Sequence, residues 1–237
     1  MIMKPLQTFL AALLLASVTA QATIYTRYSG TDPLVGNNVN LGILDANPTG
    51  IQDTIHVSGI VEPVLSHVSV LINVAGGVNG DLRAYLNFNG ILVPLLTRVG
   101  TGVGDTGSAQ YFFGYSTAGY TNLRLDDNGS SNIHSEPTPS ESPVLYHPDG
   151  GNLSAFNGGN PNQDWTIFFA DLSSNGGSSP STLVNWSLEI TAVPEPVNVA
   201  LGIFGGIFLL VIVIRNPRLR ERIHHCRVAV VHWVDAV

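Results

Sequence analysis

The chain has 237 residues; charged side chains make up 11% of it and the formal net charge is −7. Between residues 23 and 192 the basic side chains are Arg27, Arg83, Arg98 and Arg124 against many more acids, a surface that repels phosphate backbones, so nucleic acid is not an expected partner. Cys226 is the only cysteine, which excludes an internal disulfide and leaves stability to packing or a bound ion.

In chain order, the first element is residues 1–22. Lys4 is the only charge before an apolar run through Leu6, Phe9, Leu10, Leu13, Leu14, Leu15 and Val18, which ends at Ala20-Gln21-Ala22. A positive start, a short apolar run and an Ala-x-Ala site predict a secretory signal peptide, cut after Ala22, with Ala20 as the alternative. The run is shorter than a bilayer requires of a retained anchor.

Residues 23–192 have room for one domain with a buried core. Period-two alternation predicts strands. Asp53–Val61 is a weaker one. In His67–Val74, Val68, Val70, Ile72 and Val74 share a face, and in Asp81–Phe88 so do Leu82, Ala84, Leu86 and Phe88. Gly76-Gly77 and Asn79-Gly80 supply the intervening turn, and Asn89-Gly90 predicts a hairpin into Ile91–Thr97. Gly100–Gly107 reads as a flexible turn, since it lacks the lysine and following helix of a phosphate loop. Tyr111–Tyr115 and Asn122–Leu125 are further weak strands, and Ser130–Gly151, with four prolines, reads as a long surface loop. Trp165, Ile167 and Phe169 share a face in Trp165–Ala170, as Val184, Trp186, Leu188 and Ile190 do in Leu183–Thr191. Helical periodicity is absent, so the expected class is all-β, a β-sandwich.

The C-terminal segment, residues 193–227, opens with Val193, Pro194, Glu195 and Pro196. Residues 197–214 then carry no charge, and Arg215, Arg218, Arg220, Arg222 and Arg227 follow. As a helix, 197–214 would run roughly 27 Å, close to a hydrocarbon core of about 30 Å. Arginines on one side predict a single transmembrane helix with its C-terminal end in the cytoplasm, residues 228–237 as a cytoplasmic tail and everything before Pro194 outside.

A Pro-Glu-Pro tripeptide, an apolar helix and an arginine cluster, in that order at the terminus, resemble the PEP-CTERM sorting signal. The resemblance implies recognition by an exosortase-type membrane transpeptidase, passage through the inner membrane as a single-pass precursor, and transfer of the outer part to the cell surface or extracellular matrix, where exopolysaccharide is the implied associate. This chain departs from the family in continuing past the arginines to Val237.

A second resemblance lies in Gly80-Asp81-Leu82-Arg83-Ala84-Tyr85-Leu86, Leu123-Arg124-Leu125-Asp126-Asp127, Leu153-Ser154-Ala155-Phe156-Asn157-Gly158, Asp164-Trp165-Thr166-Ile167 and Asn185-Trp186-Ser187-Leu188-Glu189-Ile190. This succession, from Asp53 to Thr191, is similar to the P domain, or Homo B domain, of proprotein convertases. It implies a jelly-roll form of the sandwich; Asn160-Pro161-Asn162-Gln163 departs from the family's turn.

Asp126 and Asp127, adjacent at a strand end, form a candidate calcium site, with oxygens from Asn128, Asp164 or Asp171 to complete it. Turn and strand-cap chemistry is the competing explanation. Trp165 and Trp186 belong to the core on their alternation. His56 and His67 fall on polar strand faces, and neither a Gly-x-Ser-x-Gly elbow nor a His-Glu-x-x-His pair occurs. The expectation is therefore a non-catalytic surface or matrix protein, linked to exopolysaccharide or biofilm. The alternatives are a membrane-anchored module binding glycan or protein through Gly100–Gly107 and Ser130–Gly151, and a cryptic hydrolase.

Overall fold

A computed structural model describes residues 21–102, 114–174 and 180–216, with the backbone alone described at 196–199 and 213. Outside these ranges lie most of the expected signal peptide, residues 103–107 of the glycine-rich turn, Tyr111–Phe113, Arg218, Arg220, Arg222, Arg227 and the tail 228–237. Residues Gln21–Val193 form one compact unit, and Pro194 begins another.

The first unit is built from strands, as its alternation requires. They are β1 (Thr23–Tyr28), β2 (Leu41–Ile43), β3 (Asn47–His56), β4 (Val64–Ala75), β5 (Leu82–Phe88), β6 (Ile91–Thr97), β7 (Tyr120–Leu125), β8 (Ser131–Asn132), β9 (Leu145–His147), β10 (Asp164–Asp171) and β11 (Ser181–Val193). One sheet has the order β1-β11-β4-β7-β9-β8, with β2 also pairing β11; the other has the order β3-β10-β5-β6. The pairs are antiparallel, except that β9 lies parallel to both β7 and β8.

The two sheets share one core. From the first come Val68, Val70, Ile72, Val74, Leu123, Leu125, Trp186, Leu188 and Ile190; from the second come Ile55, Leu82, Ala84, Leu86, Phe88, Trp165, Ile167 and Phe169. Trp165 stacks on Phe88 at 3.9 Å between ring centres and meets Phe156 edge-on at 5.5 Å. Each buried indole N–H finds an acceptor, as burial of so polar a group demands. Trp165 Nε1 donates to the Pro161 carbonyl at 3.2 Å, and Trp186 Nε1 donates across the sandwich to Asp53 Oδ2 on β3 at 2.7 Å.

The expected Asn89-Gly90 hairpin forms between β5 and β6, with both turn residues at positive φ (51° and 78°), the pair of left-handed conformations that a two-residue turn of this twist needs. The Gly76–Gly80 connection carries the chain from one sheet to the other, since β4 and β5 lie in different sheets.

Several expectations need correction. Val184 is not part of the buried face of β11: Leu183 is fully buried and Val184 only partly. Leu183 pairs Val74 and Asn185 pairs Asn73, so Val184 is the extra residue of a β-bulge, which reverses the alternation on either side of it. The weak strand at 53–61 begins and ends earlier, at Asn47–His56. Residues 130–151 are not wholly a surface loop, because β8 and β9 join the first sheet and Ile133 and Tyr146 are buried. Gly114 and Tyr115 lie outside any strand.

The second unit contains, among the described residues, helix α1 (Pro196–Arg215). Leu201, Phe204, Phe208 and Leu209 are exposed on it, together with Ile203, Ile207, Val211, Ile212 and Ile214. Among the described residues no helix is long and apolar enough to cross a membrane; in α1 the described side chains are 200–212, 214 and 215.

Candidate functional site

The tetrapeptide Val193-Pro194-Glu195-Pro196, expected from the sequence to act as a sorting motif, sits where strand gives way to helix. Val193 is the last residue of β11, paired with Val64 of β4. Glu195 is exposed and extended (φ −59°, ψ 133°), the conformation that a following proline imposes. Pro196 occupies the first turn of α1, where its missing N–H costs nothing. Arg215 ends the helix, in the last turn, where a cation complements exposed carbonyls. Arg218, Arg220 and Arg222, expected with Arg215 to set the topology, lie outside the described residues.

The three acids of the candidate calcium site go to three different partners. Asp126 is buried; its Oδ2 meets His67 Nε2 at 2.9 Å and its Oδ1 accepts the Asn128 amide at 2.8 Å. Asp127 turns the other way, and its two oxygens accept the Leu153 and Ser154 amides, each at 2.7 Å, at the start of a 3-10 helix over Leu153–Phe156. Asp164 is exposed and pairs with His56 Nδ1 at 2.6 Å. Asp171 accepts the Ser173 amide, and burial, with the nearby Asp45 charge, pushes its pKa up. Among the described residues no group of three His, Cys, Asp or Glu side chains converges as a metal centre.

Sequence reasoning anticipated neither of these two histidine–carboxylate pairs nor a third. His134 Nδ1 lies 2.8 Å from Asp149 Oδ2, and its Nε2 lies 2.9 Å from the Thr101 carbonyl oxygen. A carbonyl only accepts, and Asp149 also accepts from the Thr97 amide (3.0 Å) and hydroxyl. Both ring nitrogens therefore act as donors, which requires the imidazolium. Burial pulls the His134 pKa down, but the Asp149 and Thr101 acceptors outweigh it and hold the value above the usual histidine range. Burial, helped by the Asp149 charge, pushes the Tyr120 pKa up. Among the described residues no serine, threonine or cysteine side chain is hydrogen-bonded to a histidine.

A chain of amides crosses the first sheet from β11 to β7. Asn185 Nδ2 donates to Asn38 Oδ1, and Asn73 Nδ2 donates to Asn185 Oδ1, both at 2.7 Å. Asn73 Oδ1 accepts the Asn122 backbone N–H at 2.7 Å, and Asn122 Nδ2 donates to Glu141 Oε2 at 3.2 Å. Asn73, Asn122 and Asn185 line a recess of about 420 Å³ that adjoins a second of about 360 Å³. The two share Ala118, Tyr120 and Thr121, and Glu141 belongs to the second. Gly119 lines the second recess at φ +69°, where an added Cβ would meet the Val74 carbonyl oxygen at 2.4 Å. Period two does place Asn73 and Asn185 on polar strand positions, but residues 112 apart in sequence give no local sign that they will meet.

No protein-family model matches this chain. No curated protein matches it either. Among solved structures, it is similar to a complex of an Aeromonas sobria serine protease with the chaperone ORF2, at 14% identity over 78% of this chain and 29% of that one, with a TM-score of 0.47. The serine protease of Aeromonas sobria, at 14% identity over 73% of this chain and 27% of that one, gives 0.42. The chain thus spans less than a third of the length of either.

Proposed function

We propose that this chain is an exported, non-catalytic surface or matrix protein whose β-sandwich is handed over by a C-terminal sorting signal. In this reading residues 1–22 start export. Residues 197–214 halt it as a membrane-embedded helix with Arg215, Arg218, Arg220 and Arg222 in the cytoplasm, and an exosortase-type transpeptidase reads Pro194-Glu195-Pro196. The one observation that carries the reading is the order of the last segment: proline-flanked carboxylate, uncharged run, arginines on one side only.

Two further features support it. The boundary between compact units falls at Val193 and Pro194, which leaves an exposed, extended Glu195 between a folded domain and a helix. Among the described side chains of α1, the exposed apolar ones occur without a polar face, the pattern of a helix that needs an apolar surrounding. The span itself is proposed from the whole uncharged run of the sequence. We assign the sandwich the jelly-roll form and P-domain kinship on its motif order; among the described residues His56, His67, His134 and His147 each meet a carboxylate or carbonyl oxygen, which suits a structural role.

Mass spectrometry of the protein recovered from the cell surface tests the proposal. The expected N-terminus is Thr23 and the expected C-terminus lies near Pro194. An intact Val237 on every surface molecule contradicts sorting and leaves a plain anchor; an intact Met1 contradicts export through a cleaved signal.

A further inference from the structure

We propose that the asparagine-lined recesses at the β11-β4-β7 end of the first sheet bind a neutral, hydroxyl-rich ligand, a stretch of sugar chain. Chemistry selects the class. Among the described residues the lining holds no lysine, arginine or histidine, so an anion finds no counter-charge there. Among the described residues its one charged group is Glu141, too few oxygens for a hard cation. Tyr120 is buried to 4% exposure, so no open aromatic or broad apolar floor awaits an apolar ligand. What remains is amides and hydroxyls from Asn73, Asn122, Asn185, Thr121 and Thr138.

Those amides are already aimed. An asparagine side chain offers two N–H donors and a carbonyl with two lone pairs. In the chain Asn38–Asn185–Asn73–Asn122–Glu141, Asn73, Asn185 and Asn122 each spend one side-chain N–H on the next member, which fixes the amide plane and leaves a second N–H for a ligand. The Asn122 side-chain carbonyl has no donor among the described residues. Vicinal sugar hydroxyls, each both donor and acceptor, match such alternating fixed donors and acceptors, and the fixed orientation lowers the ordering cost of binding. Each recess falls within the size range of small-ligand pockets of about 300–1,000 Å³. Their shared wall of Ala118, Tyr120 and Thr121 makes two adjoining subsites for consecutive sugar units. The segment 130–151 contributes the outer wall through Thr138 and Glu141, whereas the described part of Gly100–Gly107 lines neither recess.

The inference deepens the surface reading and rests on it for access to extracellular glycan. The test uses purified full-length chain in zwitterionic micelles, so failed binding leaves export standing and failed export leaves binding standing. Cellohexaose, maltohexaose, chitohexaose and laminarihexaose are titrated calorimetrically, with hexagalacturonate as the anionic control. Saturable binding of at least one neutral hexasaccharide, weaker or absent with hexagalacturonate, is expected. Thr121→Arg on the shared wall and Thr138→Arg on the outer wall should each weaken it about tenfold or more. Thr49→Arg, at an exposed position of β3 in the other sheet, should leave it unchanged. Near-ultraviolet signals of the buried tryptophans confirm that each variant is folded. No binding by any neutral hexasaccharide, preference for the anionic one, wild-type affinity in both wall variants, or equal loss in Thr49→Arg overturns the proposal.

Discussion

Two regions of the sandwich hold together by opposite means. Around Trp165, three rings from β5, β10 and the Leu153–Phe156 turn interlock with few polar groups in the way. At the far edge of the other sheet, β8 and β9 contribute two and three residues, and the segments beside them are fastened by carboxylates: Asp149, after β9, gathers His134, after β8, and Thr97 of β6, while Asp126, after β7, meets His67 and accepts the Asn128 amide. The first region depends on volume and is indifferent to pH. The second depends on charge. A small protein edge with little apolar area to bury must be fastened by hydrogen bonds, and these are strongest when one partner is ionised.

The contrast can be broken at its strong end first. Trp165→Ala removes the stacked ring and leaves a cavity against Phe88 and Phe156, at an expected cost of about 3–5 kcal/mol in urea unfolding, equal at pH 6 and pH 9. Asp149→Asn should cost about 2 kcal/mol at pH 6, because the imidazolium and the Thr97 amide lose a charged acceptor. The sign follows from the raised pKa of His134. Its stabilisation is complete below the unfolded value of about 6.5 and is lost as pH rises through the higher folded value. The Asp149→Asn penalty should therefore shrink at pH 9, with amides of 131–149 exchanging faster there in the wild type; an equal penalty at both pH values contradicts the clasp.

Smaller effects sharpen the comparison further. Asp127→Ala uncaps the Leu153–Phe156 turn and should lower stability by about 1 kcal/mol, read as a shift in urea midpoint with the slope unchanged. His56→Ala removes a hydrogen bond between two exposed side chains and should change stability by less than about 1 kcal/mol.

Strands with apolar alternation on one face were legible from sequence: β4, β5 and β10 bury the apolar residues that period two groups together, whereas β6 forms but buries Leu95 and Leu96 in succession at a register shift against β5. The exceptions have physical causes. β1 turns Tyr25 and Arg27 inward, and Arg27 lies over the Tyr25 ring at 5.3 Å, so its inner face shows no apolar period. β8 and β9 are too short to display one. The bulge at Val184 inserts a residue that no local pattern announces. For the candidate site, adjacency suggested that Asp126 and Asp127 act together, but successive side chains at the end of an extended strand point to opposite sides. One goes inward to His67 and the other out to a turn. The asparagine chain was illegible for another reason: its members meet only after three strands have taken their registers.

The reading as a whole depends on which side of the membrane the sandwich occupies, and the lone native cysteine offers a direct check. Intact cells expressing the wild type, and a Thr49→Cys, Cys226→Ser double variant, are treated with a membrane-impermeant maleimide. Export with the arginines inside predicts label at residue 49 of the variant and none at Cys226 of the wild type. Label at Cys226 on intact cells, or a residue 49 that reacts only after lysis, contradicts the account.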